Sequence, residues 1–162
     1  MLTVIVLGEA DPLALAATFR SLMPGVIAGI VAEVRVVAAE DGAVREICER
    51  MGARLVQKER ALEGASSNWL LLLRAGAVPR SEWAQAVLDH VSRSDGSARF
   101  ETKESTSLWR RLTGQVGDPL RPGLLIERRK AEAASRTAPL DQLSVGRAVA
   151  TLPAGIRPAG DD

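Results

Sequence analysis

Residues 70–83 read LLLLRAGAVPRSEW. The leucine run is short enough for a strand and apolar enough to be buried on both faces. It stops abruptly at Arg74-Ala75-Gly76. Pro79 then leads into an amphipathic pattern, with Ser81 as candidate N-cap and Trp83, Val87, Leu88 and Val91 on one face of a helix over 80–92. A buried strand that ends in a polar loop is where α/β proteins usually hold their ligands. This loop carries no carboxylate, histidine or hydroxyl at its tip.

The same unit repeats upstream. TVIVL (3–7) is a β-branched apolar run bounded by Gly8, and it reads as a buried strand. A helix follows, with Asp11 as N-cap, Pro12 at the first helical position, and Leu15, Phe19, Leu22 and Met23 at helical spacing. Pro24-Gly25 is expected to end it. EVRVVA (33–38) is a second strand. Val44, Ile47, Cys48 and Met51 mark a second helix that ends at Gly52. ARLVQ (53–57) is a third strand.

Alternation of strand and helix through residue 92 predicts an α/β fold with a mostly parallel central sheet and helices on both faces. Downstream, ARFET (98–102) alternates and reads as an edge or antiparallel strand. Residues 105–113 and 139–150 read as helices, and GLLIE (123–127) as a further strand. One domain is expected over 1–152. PAGIRPAGDD (153–162) reads as a disordered tail.

Composition narrows the chemistry. The 162 residues carry a net charge of +1, which gives no electrostatic case for nucleic acid as a partner. One cysteine, Cys48, excludes an internal disulfide and a multi-cysteine zinc site. One histidine, His90, leaves no partner for a His-based metal cage; it reads as a surface residue. No apolar run reaches the length of a membrane span, and the N-terminus lacks the basic n-region of a signal peptide. The cytoplasm is the expected location.

Taken together these segments resemble glycosyltransferase family 2, the nucleotide-sugar-dependent enzymes of the GT-A fold. TVIVLGEADPLALAATFRSL is similar to the family's opening strand and helix, and EVRVVAAEDGAVREICERMGARLV to its second strand, helix and third strand. NWLLLLRAGAVPRSEW is similar to the stretch that normally carries Asp-x-Asp. ARFETK, LWRRLTGQVGD and GLLIERRKAEA resemble the acceptor-side half, and DQLSVGRAV the late helix that usually begins Glu-Asp. The resemblance implies a Rossmann-like, GT-A-like three-layer sandwich over most of residues 2–150.

It also implies that the family's chemistry has been removed almost residue by residue. The Asp-x-Asp acids hold a divalent metal that neutralises the diphosphate leaving group. Those positions are Arg74 and Gly76 here, so neither a metal site nor another cofactor is expected. The aspartate near the end of the second strand falls on Ala38 or Ala39. The catalytic base falls on Asp141 or a neighbouring register. The helix lined with Arg, Gln and Asn between strands three and four is reduced to KERALEGASS (58–67).

The remaining candidates each have two readings. Glu9, Asp11, Glu40 and Asp41 lie at adjacent strand ends. They are either a residual nucleotide pocket or loop acids and helix caps, and capping preference favours the second for Asp11 and Asp41. Arg74 either meets a diphosphate as a fixed cation in place of a metal or solvates a strand end. Asp141 is either the acceptor-activating base or an acid at a helix N-terminus. The short segment 107–114 either touches an anionic membrane surface from the cytoplasmic side or packs on the sheet.

Two functional readings follow. One is a family 2-like glycosyltransferase of cell-envelope or surface polysaccharide synthesis, metal-independent or catalytically impaired. The other is a pseudo-glycosyltransferase that binds a nucleotide sugar or a protein of envelope biosynthesis. A response-regulator-like module would need a phosphoacceptor Asp at a strand end, and Asp41 does not follow its strand closely enough.

Overall fold

The computed structural model describes residues 1–8, 11–39, 41–102, 118–143 and 149–160. The chain begins with β1 (Leu2–Leu7), α1 (Pro12–Ile27), β2 (Val31–Val37), α2 (Gly42–Met51) and the two-residue β3 (Arg54–Leu55). A turn of 3-10 helix at Lys58–Arg60 precedes β4 (Trp69–Arg74), β5 (Val78–Pro79) and α3 (Trp83–Arg93). Then come β6 (Ala98–Glu101), β7 (Leu124–Glu127), α4 (Arg128–Ala134), a second 3-10 turn at Leu140–Gln142, and β8 (Ala150–Arg157).

The described strands form one sheet in the order β3-β2-β1-β4-β7-β6-β8-β5. β3, β2, β1 and β4 are parallel. β7 then pairs antiparallel with both β4 and β6, β6 pairs parallel with β8, and β8 antiparallel with β5. The sheet is therefore mixed, which corrects the mostly parallel expectation. The parallel half is the one in which strands and helices alternate, and antiparallel pairing begins at β7.

Residues of β1 alternate between two cores. Leu2, Val4 and Val6 face one side with Leu71 and Leu73, while Ile5 and Leu7 face the other with Leu70 and Leu72. The four leucines of β4 are each 0% exposed. At roughly 1.5–3 kcal/mol for each fully buried side chain, β4 is a principal source of stability. The first core takes Leu15, Phe19 and Leu22 of α1, Val44 and Cys48 of α2, and Trp83 and Val87 of α3. The second is covered by Ala61 and Ala65, Leu120, Ala131 of α4, and Leu140 and Leu143.

Among the described residues the three long helices lie on one face, and the shorter α4 lies on the other. The reason is topological. Right-handed crossovers put α1 and α2 on the same side, and the strand order reverses between β3 and β4. The crossover on the opposite face falls to residues 56–68, which are too few for a full helix. Arg35 holds that segment instead. Its side chain is 2% exposed, its Nε donates to Glu33 (2.6 Å), and its Nη1 donates to the carbonyls of Ala61 (3.0 Å) and Glu63 (2.7 Å). A buried guanidinium with its donors paired is tolerated where an unpaired one is not.

Other boundaries shift for local reasons. α1 runs past Pro24 to Ile27. The last turn is held by Trp83, whose ring packs on Gly25 and whose Nε1 donates to the Ser21 carbonyl at 2.9 Å. Glu82, not Ser81, occupies the cap of α3, and the Ser81 hydroxyl donates to the Glu82 carboxylate (2.9 Å). Leu88 is exposed, and Ala84 and Ala86 complete the buried face. Of the helix expected over 139–150, Leu140–Gln142 form a 3-10 turn and Ala150 starts β8, while 144–148 lie outside the described residues. Residues 153–157, expected in a disordered tail, belong to β8. Leu152, Ala154 and Ile156 point inward at strand period, a pattern hidden by the intervening Pro and Gly. β6 is interior to the sheet and not an edge, and of the two expected readings the antiparallel one holds against β7. The expected helix 105–113 and the segment 107–114 lie outside the described residues.

Candidate functional site

The carboxyl ends of β2, β1 and β4 lie side by side, with β1 in the middle. Loops leaving β1 in opposite directions from its neighbours open a crevice at this point. A cleft of about 640 Å³ occupies it. Leu7, Gly8, Val37 and Ala38 form a largely apolar floor, Pro12 and Asp41 bring the starts of α1 and α2 to the rim, and Lys58, Arg74 and Asp141 supply the charge.

Asp11 and Asp41 sit at those two helix starts. Asp11 Oδ2 accepts from the Ala14 amide at 3.0 Å. Asp41 Oδ1 accepts from Ala43 (2.8 Å) and Val44 (3.3 Å). Both therefore satisfy orphan helix donors. Asp41 also lines the cleft, and Asp11 does not. Glu9 and Glu40 lie outside the described residues.

The tip of β4 is a tight turn folded onto α1. The Ala75 amide donates to the Leu7 carbonyl (3.0 Å), and the Ala77 amide to the Arg74 carbonyl (3.0 Å). Gly76 has φ +89°, and its amide donates to Thr18 Oγ1 at 3.0 Å. A Cβ at Gly76 would lie 3.4 Å from that of Ala14. The second position of the expected metal motif thus faces α1, in a conformation that disfavours any side chain.

Arg74 makes a two-pronged contact with Asp118. Its Nε donates to Oδ2 at 2.6 Å and its Nη2 to Oδ1 at 2.8 Å. Nη2 also donates to the Asp141 carbonyl at 3.2 Å. The Asp141 carboxylate pairs with Lys58 at 2.8 Å. Lys58, Asp141, Arg74 and Asp118 therefore form a linked cluster of alternating charge, of which the first three line the cleft. The bond to Asp118 raises the Arg74 pKa against the opposing effect of burial. Asp118 is pulled down despite its own burial, by Arg74 and the Leu120 amide. Asp141 is lowered chiefly by its bond to Lys58.

These residues do not fit a divalent metal. Among the described residues no three His, Cys, Asp or Glu side chains stand together where an ion could be held. The two carboxylates nearest the β4 tip each already face a cation. A metal ion there would meet Lys58 and Arg74.

Sequence reading placed Arg74, Asp41 and Asp141 in this region and missed Lys58 and Asp118. Lys58 comes from the shortened crossover and is the second basic group near the β4 tip. Asp118 ends LWRRLTGQVGD, where nothing in the local pattern pairs it with a residue 44 positions earlier. His90 is half-buried, with its ring edge-on to Trp69 (6.1 Å) and Nε2 2.7 Å from the Gly96 carbonyl.

No family model matches the chain, and no curated protein matches it. Solved structures do. Glucosyl-3-phosphoglycerate synthase from Mycobacterium tuberculosis, in complex with Mn2+, UDP and phosphoglyceric acid, superposes with a TM-score of 0.61 at 15% identity. That match covers 93% of this chain and 67% of that one. The same enzyme with Mn2+ and UDP-glucose gives 0.62 at 14% identity, covering 94% and 69%. A further crystal structure of it gives 0.57 at 16% identity, covering 80% and 57%. The fold is therefore that of the GT-A-type glycosyltransferases, in a chain that spans 57–70% of these neighbours' length.

Proposed function

We propose that this chain is a family 2-like glycosyltransferase homologue that receives the diphosphate of a nucleotide sugar without a metal ion. The observation that carries the reading is the placement of Lys58 and Arg74 on the cleft at the β1–β4 crevice. Glycosyl transfer breaks the bond between the sugar's anomeric carbon and the diphosphate, and the electron pair leaves with the phosphate oxygen. Fixed side-chain cations can stabilise that developing charge. The apolar floor of Leu7, Val37 and Ala38 suits the flat face of a nucleobase, and Asp41 at the rim is placed for a ribose hydroxyl. Glu9 and Glu40 belong to the same two loops and are proposed for the same rim.

Asp141 is the proposed base toward an acceptor hydroxyl. Its carboxylate is ionised at neutral pH but is held by Lys58, and a lowered pKa makes a weak base. This pairing favours the second reading for catalysis, a protein that binds a nucleotide sugar and turns it over poorly or not at all. A role in envelope or surface polysaccharide synthesis, at the inner face of the membrane, goes with either reading.

The test of the location is amide NMR during titration with UDP in EDTA. Shifts concentrated at Gly8, Ala38, Ala39, Lys58 and Arg74 support the reading. Shifts confined to the opposite end of the sheet, or none at saturating UDP, count against it.

A further inference from the structure

Asp118 makes the shortest contact to Arg74, yet it does not line the cleft. We infer that Asp118 is a positioning residue that presets the Arg74 guanidinium for a diphosphate, an inference that rests on the diphosphate reading given above.

A guanidinium has five donors in one plane. Asp118 engages Nε and Nη2 from one side, and the Asp141 carbonyl engages Nη2 as well. Three bonds to two residues fix the plane. Nη1 takes no part in this pairing and lies on the side of β1, where a Cβ on Gly8 would be 3.9 Å from it. Gly8 is cleft floor. The pairing thus uses Nε and Nη2 and leaves Nη1 beside Gly8, which lines the cleft.

Asp118 is itself anchored. Its Oδ1 also accepts from the Leu120 amide at 3.0 Å, and its carbonyl accepts from the Arg121 amide at 3.1 Å. Leu120 is 0% exposed in the second core. A carboxylate tied to a turn that is pinned in the core is a rigid mount. An arginine on such a mount has lost its rotamer freedom on folding and loses little more on binding. The four-residue cluster carries two positive and two negative charges, so any attraction for a ligand comes from directed N–H groups and little from net charge.

The experiment is calorimetric titration with UDP in EDTA on the intact chain, for wild type, Asp118→Asn and Arg74→Lys, with 15N NMR of the Arg74 Nε–H. Saturable wild-type binding is expected, with a loss of about tenfold in Asp118→Asn, as is usual for supporting partners of a binding group. Arg74→Lys is expected to lose binding too, because a point charge cannot keep a fixed fork. In wild type the Arg74 Nε–H should stay protected from exchange at saturating UDP, a readout that does not depend on any variant folding. Unchanged or tighter binding by Asp118→Asn, or loss of Nε–H protection on adding UDP, would overturn the inference and leave the diphosphate site standing. Absence of wild-type binding would remove the diphosphate reading, and this inference with it.

Discussion

Thr18 Oγ1 accepts a hydrogen bond from the Gly76 amide at 3.0 Å and so ties the tip of β4 to the middle of α1. Thr18 is 0% exposed, and its hydroxyl donates in turn to the Ala14 carbonyl at 3.2 Å. The loop at the β4 tip is part of the packing between sheet and helix.

Thr18→Val keeps the shape and leaves the Gly76 amide without its partner. A loss of about 1–3 kcal/mol is expected in urea unfolding, the usual cost of an unsatisfied buried donor. Gly76→Asp should cost roughly 1–2 kcal/mol, because φ is +89° there. The double variant Arg74→Asp, Gly76→Asp is expected to gain no manganese site, and titration with Mn2+ reads this directly.

Gly25→Ala tests the seat of Trp83. Alanine normally favours a helix over glycine by about 1 kcal/mol. Here its Cβ would lie 2.5 Å from Trp83 Cζ2, and the ring is fully buried. Overpacking costs about 1–3 kcal/mol, so the sign should reverse and the thermal midpoint should fall. A rise in the midpoint would show that the ring can shift freely.

Acid should loosen the cleft edge in a traceable way. Asp118 and Asp141 both have carboxyl pKa values below the ordinary one when folded. Their contribution to stability is therefore complete above about pH 3.9, the unfolded value, and is lost as pH falls below it through the folded values. Asp118→Asn should lose less stability than wild type over that acid range. Urea midpoints at a series of pH values check this, and parallel slopes for the two proteins would contradict it.

Cys48 is 2% exposed on the sheet-facing side of α2. Burial, with the Glu49 charge second, pushes its thiol pKa up. A thiolate-specific reagent at neutral pH should label it only as the protein unfolds. Rapid labelling of the native protein would mean that α2 opens locally.

The upstream half of the fold was legible because its signals are local. Continuous apolar strands, Asp11 and Asp41 caps, and Gly52 with φ +67° each state an element boundary in a few residues. Helix faces and the strand ends at Gly8, Ala39 and Arg74 followed from periodicity. The rest depends on long-range pairing. β6 and β7 are four residues each, and their direction is set by which neighbour is free, as with Ala98 between Leu125 and Ala150. Pro24 looks like a helix stop until Trp83, 62 residues from Ser21, bonds the last turns. The site divides in the same way. Arg74 was visible at a strand end, whereas Lys58 and Asp118 gain their meaning only when the crossover and the 118–121 turn fold beside it.

The central claim is a diphosphate site that works without metal, and calorimetry of UDP binding with EDTA, then with Mn2+, tests it most directly. The account predicts saturable binding in EDTA, an affinity changed less than about twofold by Mn2+, and a loss of about tenfold or more in Arg74→Gln, in line with the value of a charge-assisted hydrogen bond. Binding that requires Mn2+ and survives Arg74→Gln would contradict it.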